Sequence, residues 1–136
     1  MAIKKLPSSH KVIYNGTHGN LSVAMGKAAI TAAINDEIVL FSLDIGTQLT
    51  NLTVNFPDIG ASAKAKVILR PATSTDIDVT TDVDVSSAKV LNTDESGWFP
   101  TELLQEKHEV VIKFTGASVT NKTIKYRMLS ESIGNA

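Results

Sequence analysis

The sequence predicts an all-β protein, folded as a single antiparallel β-sandwich of eight or nine short strands. Two observations lead to this prediction. Polar and branched side chains alternate through residues 76–85, so that successive residues of an extended chain would point to opposite faces. Shorter β-favouring runs recur along the chain, separated by turn signals at the spacing typical of sandwiches. With 136 residues, the chain is long enough for one domain around one core.

Composition narrows the classes of partner. The formal net charge is -1 and 20% of the residues are charged, so the chain has no polybasic region to attract nucleic acid or an anionic membrane. Cysteine is absent, which excludes disulfides and thiolate metal sites and is compatible with synthesis in a reducing host cytoplasm. No apolar run follows the two N-terminal lysines or approaches membrane length, so we expect a soluble protein made inside a cell.

The N-terminus is predicted to form an arm over residues 1–9, followed by one sandwich domain over residues 10–136. The proline and serines at 7–9 interrupt strand pairing, and two lysines precede them. Such arms often become ordered only against a neighbour. The first strand candidate is 11–14, and the Asn-Gly pair at 15–16 closes it with a tight turn.

The next segment, residues 21–34, is ambiguous. Its alanine content and the spacing of Leu21, Met25 and Ala29 suit a helix, whereas its branched residues tolerate an extended chain. An all-β neighbourhood can override a weak helix preference. We therefore favour two short strands broken near Gly26, with a helix as the alternative.

The middle of the chain reads as consecutive strands. Residues 37–43 form a continuous apolar run of strand length, and residues 44–47 turn the chain into an alternating strand over 48–54. Residues 63–69 form another strand before Arg70-Pro71 ends it, and the alternating, aspartate-rich strand over 76–85 follows.

The C-terminal third is predicted to contain a loop and two strands. Residues 93–101 have loop composition and include the only tryptophan, and 102–107 could form one helical turn. Strands over 108–115 and 123–129 flank a turn at 116–121.

Four aspartates would share one face of the predicted strand over 76–85: Asp76, Asp78, Asp82 and Asp84. Clustered carboxylates suit calcium, but alternate residues of a strand lie about 7 Å apart, too far for neighbours to share an ion without ligands from other loops. We favour a solvated strand face that resists edge pairing, and a cation site is the alternative.

Catalytic signals are weak. His10, His18 and His108 are scattered without a partner at metal-ligand spacing, and the sequence has no nucleophile motif or phosphate-binding loop. Fourteen acidic residues leave a paired-carboxylate hydrolase as the remaining enzymatic alternative. We predict no enzyme, no catalytic residue, no metal site and no cofactor.

The aromatic pair Trp98-Phe99 is a candidate subunit contact. With Tyr14 and Tyr126, the pair could instead stack against sugar rings. A pair of this kind more often covers a β core or lies at an interface, so we favour the core or interface role.

The order of several segments resembles small tailed-phage virion proteins, typically capsid decoration or cement proteins. The resemblance covers most of residues 10 to 130 and lies in INDEIVL (34–40), LDIGTQL (43–49), PDIGASA (57–63), VVIKFTGA (110–117) and TIKY (123–126). It implies a jelly-roll-like β-sandwich without catalytic residues. It also implies a homotrimer on the capsid surface of a virion, bound to the major capsid protein and to neither nucleic acid nor membrane.

The polar arm supplies candidate capsid contacts, which are Ile3, Lys4, Lys5 and Leu6. Two other functions remain open at this point. One is a glycan- or receptor-binding module of a head or tail fibre. The other is a tail-tube or head-completion subunit, which should assemble into rings.

Overall fold

The computed structural model describes residues 2–6, 21–95 and 106–132, and ten strands lie in these ranges. They are β1 (Ile3–Lys5), β2 (Leu21–Ala32), β3 (Glu37–Leu43), β4 (Thr47–Phe56), β5 (Lys64–Pro71), β6 (Ile77–Asp78), β7 (Val83–Asp84), β8 (Lys89–Asn92), β9 (His108–Thr115) and β10 (Val119–Ser132). The all-β prediction is therefore confirmed. The predicted strand over 11–14 and most of the predicted helical turn over 102–107 lie outside the described residues.

The strands form two sheets. The first has the order β1-β3-β9-β5-β6, with β7 also paired to β5, and the second has the order β2-β10-β4-β8. Every strand pair is antiparallel except β1 with β3. From β2 to β5, and again from β8 to β10, consecutive strands alternate between the sheets. The chain thus winds around one core as a β-sandwich.

The core lies between the sheets and is held by two edge-to-face aromatic pairs. Phe41 of the first sheet packs against Tyr126 of the second, with ring centroids 5.5 Å apart. Phe56 of the second sheet packs against Phe114 of the first at 6.0 Å. Such pairs contribute about 0.5–1.5 kcal/mol beyond their burial, so these contacts help to fix one sheet on the other.

Residues 21–32 form one uninterrupted strand, β2. The prediction of strand was right, whereas the break near Gly26 and the helical alternative were wrong. Gly26 pairs directly with Tyr126 of β10, and a Cβ at position 26 would meet the far end of the Tyr126 ring. The glycine is therefore a site of close packing and not an end of the strand.

The aspartate-rich segment is not the single strand that its alternation predicted. It forms β6 and β7, which pair with opposite ends of β5. Between them, the Val67 amide donates to Oγ1 of Thr80 at 3.0 Å, and the amides of Val79 and Thr80 both donate to the Val67 carbonyl. A side chain thus replaces a backbone acceptor and interrupts the ladder. Val79 and Val85 are buried, as the alternation predicted.

Candidate interaction surfaces

The N-terminal segment forms the edge of the first sheet. Strand β1 pairs in parallel with β3, with Ile3 opposite Glu37 and Lys5 opposite Val39. The Leu6 amide donates to the Val39 carbonyl at 3.1 Å, and the Leu6 side chain is buried in the core. The segment therefore packs against its own domain.

Asp36 fastens this segment from the turn before β3. Its Oδ1 accepts the Ala2 amide at 2.9 Å, and its Oδ2 accepts the Ala33 amide at 3.0 Å. Nζ of Lys4 lies 3.9 Å from the same carboxylate and donates to the Thr31 carbonyl at 2.7 Å. The amide hydrogen bonds from Ala2 and Ala33 lower the pKa of Asp36.

Replacing Asp36 with alanine should release β1 from the sheet edge, because the Ala2 amide loses its carboxylate acceptor. We expect the Leu6 amide to exchange with solvent faster, whereas the Val67 amide in β5 keeps its protection. Because the pKa of Asp36 is lowered on folding, its contribution is present above the unfolded value near 3.8 and is lost as the pH falls through the folded value. Native-state hydrogen exchange measures both amides, and Asp82→Ala is the exposed control. Equal Leu6 protection in both variants would contradict this role of Asp36.

The four candidate capsid contacts therefore differ in accessibility. Ile3 is half exposed. Lys4 and Lys5 keep about half of their side-chain surface while pairing with Asp36 and Glu109, respectively. Leu6 belongs to the hydrophobic core, so its side chain anchors the segment to this domain.

A second polar feature lies on the outer face of the first sheet, and sequence reasoning missed it. Arg70 donates from both terminal nitrogens to the Glu37 carboxylate at 2.8 and 2.7 Å. The same guanidinium donates to Asp76 at 3.0 and 2.9 Å. The Glu37 side chain is only 3% exposed. Glu37 opens an apolar run and Arg70 directly precedes a proline, which is little signal that they would meet.

This charged cluster lies over a small apolar cluster of Val39, Ile68 and Val111. These three residues pair across β3, β9 and β5 and face away from the main core. Glu37 and Arg70 lie on the same face as these residues, on either side of β9. Their hydrogen bonds therefore cross above Val111. The arrangement shields an apolar patch that would otherwise face solvent.

The hydrogen bonds among Arg70, Glu37 and Asp76 favour the charged form of each side chain. The hydrogen bonds from Arg70 lower the pKa of both Glu37 and Asp76 and outweigh the opposing effect of burial. The pKa of Arg70 is raised by its bonds to Glu37 and Asp76. All three side chains thus remain charged at neutral pH, as a structural ion cluster requires.

The four aspartates of residues 76–85 have separate surroundings. Asp76 binds Arg70, Asp78 lies 3.0 Å from Nζ of Lys66, and Asp84 accepts the Ser86 amide at 2.9 Å. Asp82 is exposed. Within residues 2–6, 21–95 and 106–132, no group of three or more His, Cys, Asp or Glu side chains could hold a metal ion.

His108 is buried at the start of β9, beside a surface pocket that Asp44, Arg70 and Lys107 help to line. Its Nδ1 lies 3.2 Å from the Glu106 carbonyl oxygen. Burial lowers the pKa of the imidazole, so the ring is neutral at neutral pH. A hydrogen bond to a backbone carbonyl orients the ring as part of the fold. Trp98 and Phe99, the candidate subunit contacts, lie outside the described residues.

Comparison with solved structures identifies relatives in fold. A chain from the capsid of Ralstonia phage GP4 matches with a TM-score of 0.75 and 14% sequence identity, over 98% of this chain and 99% of that chain. This chain has the fold of a phage capsid protein. The jelly-roll-like sandwich that the sequence resemblance implied is confirmed by this match.

Two further phage capsids contain similar chains. The match to the cyanophage Pam1 capsid has a TM-score of 0.58 at 16% identity and covers 93% of this chain and 97% of that chain. The match to the acid-stable capsid of Helicobacter pylori bacteriophage KHP30 has a TM-score of 0.57 at 15% identity and covers 87% and 92%. No protein-family model matches the sequence, and no curated protein matches it either. Similarity at this identity establishes the fold.

Residues 2–6, 21–95 and 106–132 contain no helix that is long and apolar enough to cross a lipid bilayer.

Proposed function

We propose that this chain is a structural protein of a phage virion that binds the outside of the capsid as a trimer and stabilises the shell without catalysis. The observation that carries the proposal is the match to the GP4 capsid chain along almost the whole of both chains. The partner would be the major capsid protein, and the location would be the capsid surface.

The energetic argument rests on binding to the assembled shell. A subunit that bridges neighbouring shell proteins binds the assembled lattice and not the separated proteins. It therefore shifts the equilibrium away from disassembly by mass action. Many copies on one particle multiply a modest contact energy.

The exposed side of β1 is the proposed contact with the shell. Ile3, Lys4 and Lys5 present one apolar and two basic side chains at a sheet edge, while Leu6 holds the strand in place. Trp98 and Phe99 remain candidates for contacts between subunits, because aromatic side chains are enriched in interface hot spots.

The test uses capsids of the phage that encodes this chain, prepared without it. The variant Ile3→Ser/Lys4→Gln/Lys5→Gln removes the exposed side chains of β1 and retains its backbone and Leu6. Deleting the segment would instead remove a strand and a core residue. We expect occupancy on the particles, measured by co-sedimentation, to fall on the order of tenfold, as loss of an apolar contact and two exposed ion pairs would produce.

Asp82→Ser/Lys64→Gln/Lys107→Gln is the control, since these side chains are exposed elsewhere. Native mass spectrometry of the same preparations should give three chains for every variant, which separates shell binding from trimer formation. A wild-type protein that fails to bind the particles would contradict the proposed function. A hexameric ring would point to a tail or connector subunit.

A further inference from the structure

Three exposed basic side chains lie together on the second sheet and form no ion pair in the described part of the chain. Lys27 of β2 and Lys125 and Arg127 of β10 are all exposed. The ion pairs found there use Lys4, Lys5, Lys66, Arg70 and Lys107. No carboxylate of the described residues is therefore paired with this basic group.

Strand register concentrates these charges. Lys125 lies directly opposite Lys27 on one side and Asn55 on the other, and Arg127 lies opposite Met25 and Thr53. Directly opposed residues have Cβ atoms about 4.5–5.5 Å apart, so like charges in this position destabilise a sheet. Glu131 shares this face of β10 but lies about 13 Å along the strand from Arg127. The isolated chain carries a repulsion that a bound carboxylate would relieve.

Apolar side chains flank the cations. Met25 is 62% exposed and Val90 is 51% exposed, although both are large hydrophobic residues. Together with Lys27, Asn55, Lys125 and Arg127, they line one shallow groove on the outer face of the sheet. Exposed methionine and arginine are typical of protein interfaces, whereas a nucleic-acid site would be expected to combine cations with polar or aromatic residues.

A second copy of this chain is the competing occupant, because several exposed carboxylates of the described residues belong to no ion pair, among them Asp58, Asp82, Asp94, Glu95 and Glu131. The shell is favoured because the groove lies beside β1, the proposed contact with the shell.

We propose that this basic groove binds an acidic surface of the capsid shell, with shell carboxylates against Lys27, Lys125 and Arg127 and shell apolar side chains against Met25 and Val90. The inference rests on the proposed function and assigns it a second contact surface. The groove and β1 lie near each other, because Nζ of Lys4 donates to the Thr31 carbonyl, four residues beyond Lys27 on β2. One chain can thus present β1 and the groove to the shell together.

The experiment compares two triple variants on capsids prepared without this protein. Lys27→Gln/Lys125→Gln/Arg127→Gln neutralises the groove, and Lys64→Gln/Lys107→Gln/Lys113→Gln removes the same charge at positions outside the second sheet. We expect the groove variant to bind on the order of tenfold more weakly at about 0.05 M salt, as for three partly exposed ion pairs. This difference should shrink at about 0.5 M salt, where screening is strong. The control should bind within about twofold of the wild type.

Two further measurements test whether weaker binding reflects a damaged fold and whether the apolar side chains also contact the shell. Thermal unfolding of the groove variant should occur at the same temperature as the wild type or higher, because the Lys27–Lys125 repulsion is gone. Met25→Ser/Val90→Ser should weaken shell binding at both salt concentrations, because apolar burial is not screened.

The outcomes distinguish this inference from the proposed function. Wild-type binding that the groove variant retains in full would overturn the inference and leave the proposed function standing. A wild-type protein that does not bind capsids at all would contradict both. Preferential binding of a short DNA duplex that the groove variant loses, or a change in native mass only in the groove variant, would assign the groove to nucleic acid or to a second copy and overturn the inference.

Discussion

Replacing Arg70 with methionine should destabilise the protein by about 3 kcal/mol at neutral pH. The substitution leaves the Glu37 carboxylate almost fully buried above Val39 and Val111, without the two hydrogen bonds that Arg70 supplies. An unpaired buried charge is far more costly than the net stabilisation of the intact pair. Chemical denaturation at neutral pH measures the difference in the free energy of unfolding.

The double variant Glu37→Leu/Arg70→Met tests this explanation. If the loss of stability arises from the unpaired Glu37 carboxylate, removing that carboxylate should recover most of it, since apolar replacement of a buried ion pair is often neutral. Lys107→Met is the control, because the ion pair of Lys107 with Asp44 is 3.8 Å long and both side chains are about three-quarters exposed. The control should change stability by less than about 0.5 kcal/mol. Additive losses in the double variant would contradict the explanation.

The contribution of Glu37 to the free energy of unfolding should change with pH in opposite directions in the wild type and in Arg70→Met. In the wild type, the pKa of Glu37 is lowered on folding, so its contribution is present above the unfolded value near 4.5 and is lost as the pH falls through the folded value. In Arg70→Met, burial acts without the guanidinium and raises the pKa of Glu37. Protonation then relieves the unpaired charge. The gap in stability between the proteins should therefore narrow as the pH falls below about 5.

The sequence predicted strands best where hydrophobic side chains dominate. The continuous run over 37–43 is strand β3, and the run over 108–115 is β9. Leu49 and Leu52 are three residues apart, which departs from the two-residue period of a strand, and the pairing of β4 with β10 explains this because its register shifts between Leu129 and Ser130. A bulge lets leucines three residues apart both face the core. Single-sequence alternation cannot locate such a shift in advance.

The interaction surfaces were harder to predict because pairing in space creates them. Lys27 and Lys125 are almost a hundred residues apart, and only the β2–β10 register places them side by side. The same holds for Glu37 and Arg70, which meet across β9. The N-terminal residues read as a free arm, since nothing in the sequence indicates that Asp36 accepts the Ala2 amide. Long-range partners of short polar segments are not encoded in local pattern.

Gly26→Ala should destabilise the protein by about 2 to 3 kcal/mol, although the substitution adds one methyl group within a strand. The new Cβ would overlap the Tyr126 ring, which is 5% exposed and packs edge-to-face against Phe41. The ring would have to move, which disturbs the contact between the two sheets. Elsewhere in a strand, replacing glycine with alanine favours folding by about 0.5–1 kcal/mol, because glycine loses more backbone entropy.

The decisive comparison repeats Gly26→Ala in a Tyr126→Leu background. Leucine does not extend to the position of the tyrosine ring carbons that the new Cβ would meet, so the steric cost disappears and the entropy gain remains. We therefore expect the sign of the effect to reverse, from destabilising beside tyrosine to neutral or stabilising beside leucine. Equilibrium denaturation of the four proteins in this cycle gives the coupling energy. A cost that persists beside leucine would mean that Gly26 is required by the backbone of β2 and not by the ring that lies against it.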